Sequence, residues 1–242
     1  MSERADTLKI SETFTSIQGE GKLTGTPSFF VRVSGCNLRC GWCDTPYASW
    51  FPEGEVRSID DIAQEAKDSG VRYVVLTGGE PMLFDAMESL SQRLGDAGFH
   101  ITVETAGTIP REPEAFRCDL LSLSPKLANS TPGEGDPRDP DGLWRKRHEK
   151  RRLDFDVLQR LIDTYAERQF KFVVRSDRDL SEIDEVMGRL SGWSADEVML
   201  MPEGVTVPEP GAQDWVVRAC TQRGWRLCPR VHVMLFGDTR GT

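Results

Sequence analysis

Gly35-Cys36-Asn37-Leu38-Arg39-Cys40-Gly41-Trp42-Cys43-Asp44-Thr45 places three cysteines within eight residues, spaced C-x3-C-x2-C. Gaps this short bring the three sulfurs to one side of a single loop. Converging thiols suit a soft metal centre, because thiolates are the ligands that iron–sulfur clusters prefer. A disulfide would leave one reactive thiol in the same pocket. A structural zinc site wants a fourth Cys or His to close its tetrahedron. None lies nearby in sequence, and the next histidine, His100, opens a separate strand-like run. A cubane cluster held by three cysteines keeps one iron open for a small molecule. The spacing alone also allows a zinc knuckle.

Outward from the loop, short apolar runs alternate with helical patterns. Phe29 to Val33 reads as a strand that feeds directly into the cysteines. Leu8 to Ile10 is a shorter run before it, and residues 12–27, rich in turn formers, read as a loop. Gln18 and Glu20 alternate there with Gly19 and Gly21, which lets backbone approach a ligand or simply makes a solvated turn. Ser58 to Asp61 looks like a capping box, with Ile59, Ile62, Ala63 and Ala66 at helical spacing after it and Gly70 as the stop. A second helix is expected from about Asp85 to Gly95, with Met87, Leu90 and Leu94 inward. Strands are expected at Tyr73–Leu76, Phe99–Val103, Leu120–Leu123, Gln169–Val174, Glu197–Met201 and Val231–Phe236. Residues 130–152 break the rhythm. Ser130 to Gly142 reads as a mobile loop, and the basic run Arg145 to Arg152 as the solvated start of a helix holding Leu153, Val157, Leu158 and Leu161.

Alternation of this kind predicts one α/β domain over residues 1–242 with a parallel sheet. About six or seven strands fall short of the eight of a closed barrel, so an incomplete, open (β/α)6-type TIM barrel is expected. In barrels the reactive groups gather at the C-terminal strand ends. The cysteines, Thr77 to Glu80, Glu104, Ser124 to Lys126 and Pro202 to Gly204 all follow strands, which predicts a single pocket.

The net charge of −9 argues against a general nucleic-acid binder. No apolar run is long enough to span a bilayer, so no membrane role is expected. The opening residues 1–6 are polar and mixed in charge, unlike a secretory signal. A cytoplasmic location follows, where clustered cysteines serve as ligands. Cys118, Cys220 and Cys228 read as ordinary reduced residues.

The C-x3-C-x2-C loop resembles the signature of the radical S-adenosylmethionine (SAM) enzymes, in which the open iron chelates SAM and reductive cleavage releases a 5′-deoxyadenosyl radical. The flanks resemble one family within it, 7-carboxy-7-deazaguanine synthase. The matching stretches are Glu12 to Gly21, Phe30-Val31-Arg32, Gly35 to Thr45, Leu76 to Pro81, Glu104 to Thr108, Ser124 to Lys126 and Val231 to Gly237. They cover the N-terminal half densely and the rest thinly. The resemblance implies a homodimeric lyase that converts 6-carboxy-5,6,7,8-tetrahydropterin to 7-carboxy-7-deazaguanine with loss of ammonia, using a [4Fe-4S] cluster, SAM and Mg2+, with electrons from a donor such as flavodoxin. It implies no catalytic side chain beyond cluster and SAM. Cys36, Cys40 and Cys43 would hold the cluster. Trp42, Asp44, Gly78, Gly79, Glu80, Glu104, Ser124, Pro125 and Lys126 would surround SAM. Ile17, Gln18, Gly19, Glu20, Arg32 and Thr77 would bind the pterin, with Arg32 clamping its carboxylate. Thr45 would offer oxygen to Mg2+, a hard cation that completes its shell with substrate oxygens and water. A glycyl-radical activating enzyme, or a non-catalytic iron–sulfur or zinc module, are the competing readings. The Gln18-Gly19-Glu20-Gly21 loop and Arg32 suit a small anionic heterocycle and argue against the activating enzyme; anaerobic reconstitution and a SAM-cleavage assay separate the non-catalytic module.

Overall fold

Along each parallel strand successive side chains point to opposite faces, and here that alternation separates a core from a cavity. The computed structural model describes residues 6–242; residues 1–5, most of the polar opening stretch, lie outside them. Its strands are β1 (Thr7–Ile17), β2 (Pro27–Val33), β3 (Glu55–Ser58), β4 (Tyr73–Gly78), β5 (His100–Thr105), β6 (Leu120–Leu123), β7 (Arg168–Val174), β8 (Val198–Pro202) and β9 (Arg226–Leu227). Its helices are α1 (Ile59–Asp68), α2 (Ala86–Asp96), α3 (Leu143–Arg151), α4 (Phe155–Thr164), α5 (Asp179–Arg189), α6 (Asp214–Arg223) and α7 (Val231–Phe236). The sheet order is β3-β1-β2-β4-β5-β6-β7-β8-β9, parallel from β2 through β9 and antiparallel where β1 meets β2 and β3. The two ends of this sheet do not pair with each other, so the barrel is open.

One parity of each strand packs against the helices. Phe29, Val31 and Val33 on β2, Val74 and Leu76 on β4, Ile101 and Val103 on β5, and Phe170, Phe172 and Val174 on β7 join one apolar core with Leu90, Leu94, Leu161 and Val186 from the helices. Burying each such side chain contributes about 1.5–3 kcal/mol. The opposite parity carries Arg32, Thr77, Glu104 and Lys171 into a cavity. Ser58 caps α1, its Oγ accepting from Asp61 N at 3.1 Å.

Three expectations change, and the loop expected over residues 130–142 gains a described partner. Residues 12–17 are strand rather than loop: β1 pairs with β2 as far as Ile17, and the rings of Phe14 and Phe30 stack at 4.8 Å. The turn formers begin only at Gln18. The helix expected across 145–161 is two helices, because Asp154 starts a new one by accepting from Val157 N at 3.1 Å. Residues 130–142 pack as turns against the cysteine loop, with Gly41 N donating to Ser130 O at 2.8 Å. Val231–Phe236 is helix rather than strand. The edge beside β8 is taken by β9, and the amide of Val231 turns to donate to Gly19 O at 2.9 Å.

Phe172 is fully buried and Val56, on edge strand β3, is 69% exposed. Phe172→Ala should therefore lower the unfolding free energy by about 3–5 kcal/mol, while Val56→Ala should change it by less than about 0.5 kcal/mol. Urea unfolding followed by circular dichroism measures both; equal midpoints would contradict this division of the sheet.

Candidate active site

A cavity of ≈ 720 Å³ opens at the C-terminal ends of the parallel strands, where six glycines, five cations and the cysteine loop meet. Cys36, Cys40 and Cys43 share one wall of it. Leu38 N donates to Cys36 Sγ at 3.4 Å, and Cys43 Sγ lies 3.2 Å from Ser49 Oγ and 3.7 Å from Thr45 Oγ1. Burial pushes the Cys36 thiol up to about 12 and raises the Cys40 thiol as well. Such thiols become thiolates when a metal cation supplies the missing positive charge. Among the described residues no three metal-binding side chains are placed to hold a single ion. A cluster makes no such demand, since the three cysteines would each go to a different iron and leave the fourth open. The donor set therefore fits a cluster.

Gly78 and Gly79 line the cavity where β4 ends. A Cβ on Gly79 would fall 2.0 Å from Gly35 O, and one on Gly78 would fall 2.3 Å from Val33 O. Glycine is needed here so that the strand end can lie against the backbone entering the cysteine loop. Two hydrogen bonds seal that contact, Gly79 N to Val33 O at 3.1 Å and Glu80 N to Gly35 O at 2.9 Å. Glu80 itself does not reach the cavity. Its carboxylate is buried beneath the floor, accepting from Met82 N at 3.0 Å, Thr105 Oγ1 at 2.8 Å and Ala106 N at 2.8 Å. Pro125 is likewise buried and does not line the cavity, although its neighbours Ser124 and Lys126 do. Both residues follow strand ends, and Glu80 holds the turn there through these three hydrogen bonds.

Across the floor runs a chain of alternating charges. Lys171 Nζ on β7 lies 3.4 Å from Glu104 Oε1 and 2.5 Å from Glu20 Oε2. Arg230 Nε lies 3.1 Å from Glu20 Oε1, and its Nη2 lies 2.5 Å from Asp44 Oδ2. Burial alone would push Glu20 up, but Lys171, Arg230 and His232 outweigh it and hold the carboxyl at about 2. Burial alone would discharge Lys171, but Glu104 and Glu20 raise its pKa instead. Gly19 permits this docking, since a Cβ there would fall 2.0 Å from the His232 ring. Gln18 Nε2 reaches Glu104 at 3.3 Å, so the loop and β5 are joined directly too.

Arg32 lines the cavity beside Phe14, with Nε donating to Glu12 Oε1 at 2.6 Å. Its two Nη groups have no hydrogen bond among the described residues. Glu12 is also met by Tyr47 Oη at 2.9 Å and Arg240 Nε at 3.1 Å, which draws residues 237–242 over the mouth. Thr77 and Ile17 line the same space. On the opposite side, Trp42 donates to Asn129 Oδ1 at 3.2 Å, and Lys126 Nζ bonds Ser124 Oγ at 2.8 Å.

The expected residues other than Glu80 and Pro125 thus meet in one cavity. The structure adds Lys171, Arg230, His232, Glu12 and Tyr47. Lys171 had a signal in sequence: it stands between Phe170 and Phe172, the same parity that places Arg32 between Val31 and Val33. Arg230, which precedes α7, had none; His232 lies in the Val231 to Gly237 stretch that resembles the family, but that stretch read as a strand with no site role.

An open parallel barrel with a three-cysteine loop at its reactive end is the architecture of a radical SAM protein, and the Radical SAM superfamily profile matches residues 30–177. The chain is 51% identical to 7-carboxy-7-deazaguanine synthase of Rhodopirellula baltica, over 97% of this chain and 89% of that one. It is 46% identical to the same enzyme of Halobacterium salinarum, over 97% and 93%. A crystal structure of QueE from Escherichia coli superposes with a TM-score of 0.68 at 27% identity, covering 93% of this chain and 95% of that one. The chain belongs to the radical SAM superfamily and, within it, to the 7-carboxy-7-deazaguanine synthase family.

Lys171→Met should cost about 3–5 kcal/mol, because it strands two carboxylates around a buried gap. The paired state of Glu20 also predicts a pH dependence. Its folded pKa, about 2, lies below the ordinary 4.5, so its contribution is complete above pH 4.5 and is lost as pH falls toward 2. Unfolding measured across that window should show a shallower acid limb in Glu20→Gln than in wild type; parallel limbs would mean the pairing does not exist in solution.

Proposed function

We propose that this chain converts 6-carboxy-5,6,7,8-tetrahydropterin to 7-carboxy-7-deazaguanine with release of ammonia, in 7-deazapurine and queuosine biosynthesis. One observation carries the reading: the three-cysteine loop and the free guanidinium edge of Arg32 open onto the same cavity. The cluster and SAM, when bound, supply the radical that breaks a strong C–H bond. The protein supplies binding and aim.

Cys36, Cys40 and Cys43 would hold the cluster. The Gly78–Gly79 backbone, Glu104, Ser124, Lys126, Trp42 and Asp44 would surround SAM. Arg32, oriented by Glu12 through Nε, offers its two Nη groups to the substrate carboxylate as a bidentate clamp. Gln18 and Glu20 would read the amide and amino edge of the pterin. Glu20 enters this role with both oxygens held by cations. An incoming amino group must displace Arg230 or share an oxygen with it, while Lys171 keeps the other oxygen in place. Ile17 and Gly19 give the heterocycle a flat wall, and Thr77 adds a hydroxyl. Thr45 Oγ1, beside Cys43, would provide a neutral ligand for Mg2+ that substrate oxygens complete. A homodimer in the cytoplasm, reduced by a donor such as flavodoxin, completes the reading. Among the described residues no helix is long and apolar enough to cross a membrane.

The test is mass spectrometry of products after the reduced, cluster-loaded protein meets SAM and carboxytetrahydropterin. The deazaguanine acid and ammonia are expected, together with a rise in rate on adding Mg2+ that Thr45→Ala diminishes. Cleavage of SAM with the pterin intact would overturn the proposal. Arg32→Ala should weaken substrate binding by about 2–5 kcal/mol while uncoupled SAM cleavage persists. Wild-type turnover in that variant would leave Arg32 as a partner of Glu12 alone.

A further inference from the structure

Residues 130–152 contribute nothing to the cavity wall, yet they satisfy much of the backbone of the cysteine loop. Gly41 is held from both sides, its N–H donating to Ser130 O at 2.8 Å and its carbonyl accepting from Arg138 Nη2 at 2.8 Å. Arg39 N donates to His148 Nδ1 at 3.1 Å. The Arg39 guanidinium lies 4.0 Å over the Trp144 ring and closes the loop by donating to Cys36 O and Leu38 O, each at 2.7 Å. Arg151 reaches Asn37 O at 3.4 Å. Arg138 packs 4.3 Å from the Trp50 ring, whose Nε1 donates to Cys40 O at 2.9 Å.

His148 stands at the centre of this frame and is fully buried. Its tautomer follows from its neighbours. Ser130 Oγ donates to Leu127 O at 2.6 Å, so it accepts from His148 Nε2 at 2.9 Å. Nδ1 is then the bare nitrogen, free to accept from Arg39 N. A neutral imidazole with one donor and one acceptor therefore bridges two chain segments at the residue before Cys40.

We propose that residues 130–152 are the positioning frame of the cysteine loop and that His148 is its central positioning residue, setting how firmly the loop retains its cluster and at what potential the cluster is reduced. The inference rests on the functional reading above in so far as that reading puts the cluster on Cys36, Cys40 and Cys43. Partners one step removed from the ligands fix ligand orientation and tune the metal. The mechanism here is specific. The Arg39 and Gly41 amides point to the frame and are unavailable to the cluster, whereas the Leu38 amide points to Cys36 Sγ. Removing the His148 acceptor frees an amide donor next to Cys40 and loosens the loop to water. Hydrogen bonds to sulfur and solvent exposure both tune the potential of such a cluster, and both favour the more negative, reduced state.

The experiment compares wild type with His148→Leu, His148→Gln and Ser130→Ala after anaerobic cluster loading. The readouts are the rate of iron loss to a chelator and the midpoint potential by electron paramagnetic resonance, with circular dichroism as the check on folding. Iron loss from His148→Leu should be faster by about ten- to hundredfold, with a potential moved upward. His148→Gln, whose amide keeps one acceptor and one donor, should return both toward wild type. Ser130→Ala, which removes the Nε2 partner and the hydroxyl's bond to Leu127 O but leaves Nδ1 to accept from Arg39 N, should move them the same way by less. A folded His148→Leu with wild-type retention and potential would overturn the inference. If that variant fails to fold, Ser130→Ala decides, and values equal to wild type would overturn it. Wild-type protein that takes up no cluster would sink the functional reading itself, and this inference with it.

Discussion

A lysine with only 4% of its side chain exposed has to be met by carboxylates or lose its charge. Lys171 is met by two, and the arrangement of the cavity follows from that requirement. Glu104 comes from the neighbouring half of the barrel. Glu20 comes from the loop after β1, which must fold down to reach it. That descent brings Gly19 against His232 and Gly21 against Gln169, where any side chain would collide. Glu20 then draws Arg230 inward, and Arg230 ties down Asp44 at the end of the cysteine loop. One buried cation thus aligns four chain segments that share no secondary structure.

The cysteine loop is fixed by a different kind of constraint. On one side the glycines ending β4 allow backbone to lie against backbone. On the other, residues 130–152 answer its amides and carbonyls. Glu80 belongs to the first support rather than to the ligand site, because its carboxylate is consumed by Met82, Thr105 and Ala106 beneath the floor. A sequence motif shared by ligand-binding strand ends can therefore include members whose task is to hold the turn.

The parts legible in the sequence are those that local chemistry decides. Three thiols at short spacing declare a metal centre wherever they fold. The β4 run Tyr73 to Leu76 and its glycines show a buried strand and a tight exit. Ser58 caps its helix as its spacing suggests. What escaped depends on distant partners. A lysine within β7 looks like a solvated residue until Phe170 and Phe172 are assigned to the core. Val231 to Phe236 alternates like a strand, but β9 already occupies the edge it would need. The basic run Arg145 to Arg152 looks like a solvated face, and most of it is; the buried His148, with Arg151 reaching Asn37 O, shows that the helix is bolted to the cysteine loop.

Apart from Arg32, which meets Glu12 within the first half, the pairs that close the cavity divide the chain by sign. Carboxylates come from its first half, with Glu12, Glu20, Asp44 and Glu104, and their cations from its second, with Lys171, Arg230 and Arg240. The Glu20–Arg230 contact spans 210 positions. During synthesis the first half therefore emerges with Glu20, Asp44 and Glu104 ahead of the cations that pair them, while Glu12 already has Arg32. The cross-half pairs join residues at least 67 positions apart, so the cavity closes only once both halves of the chain are present.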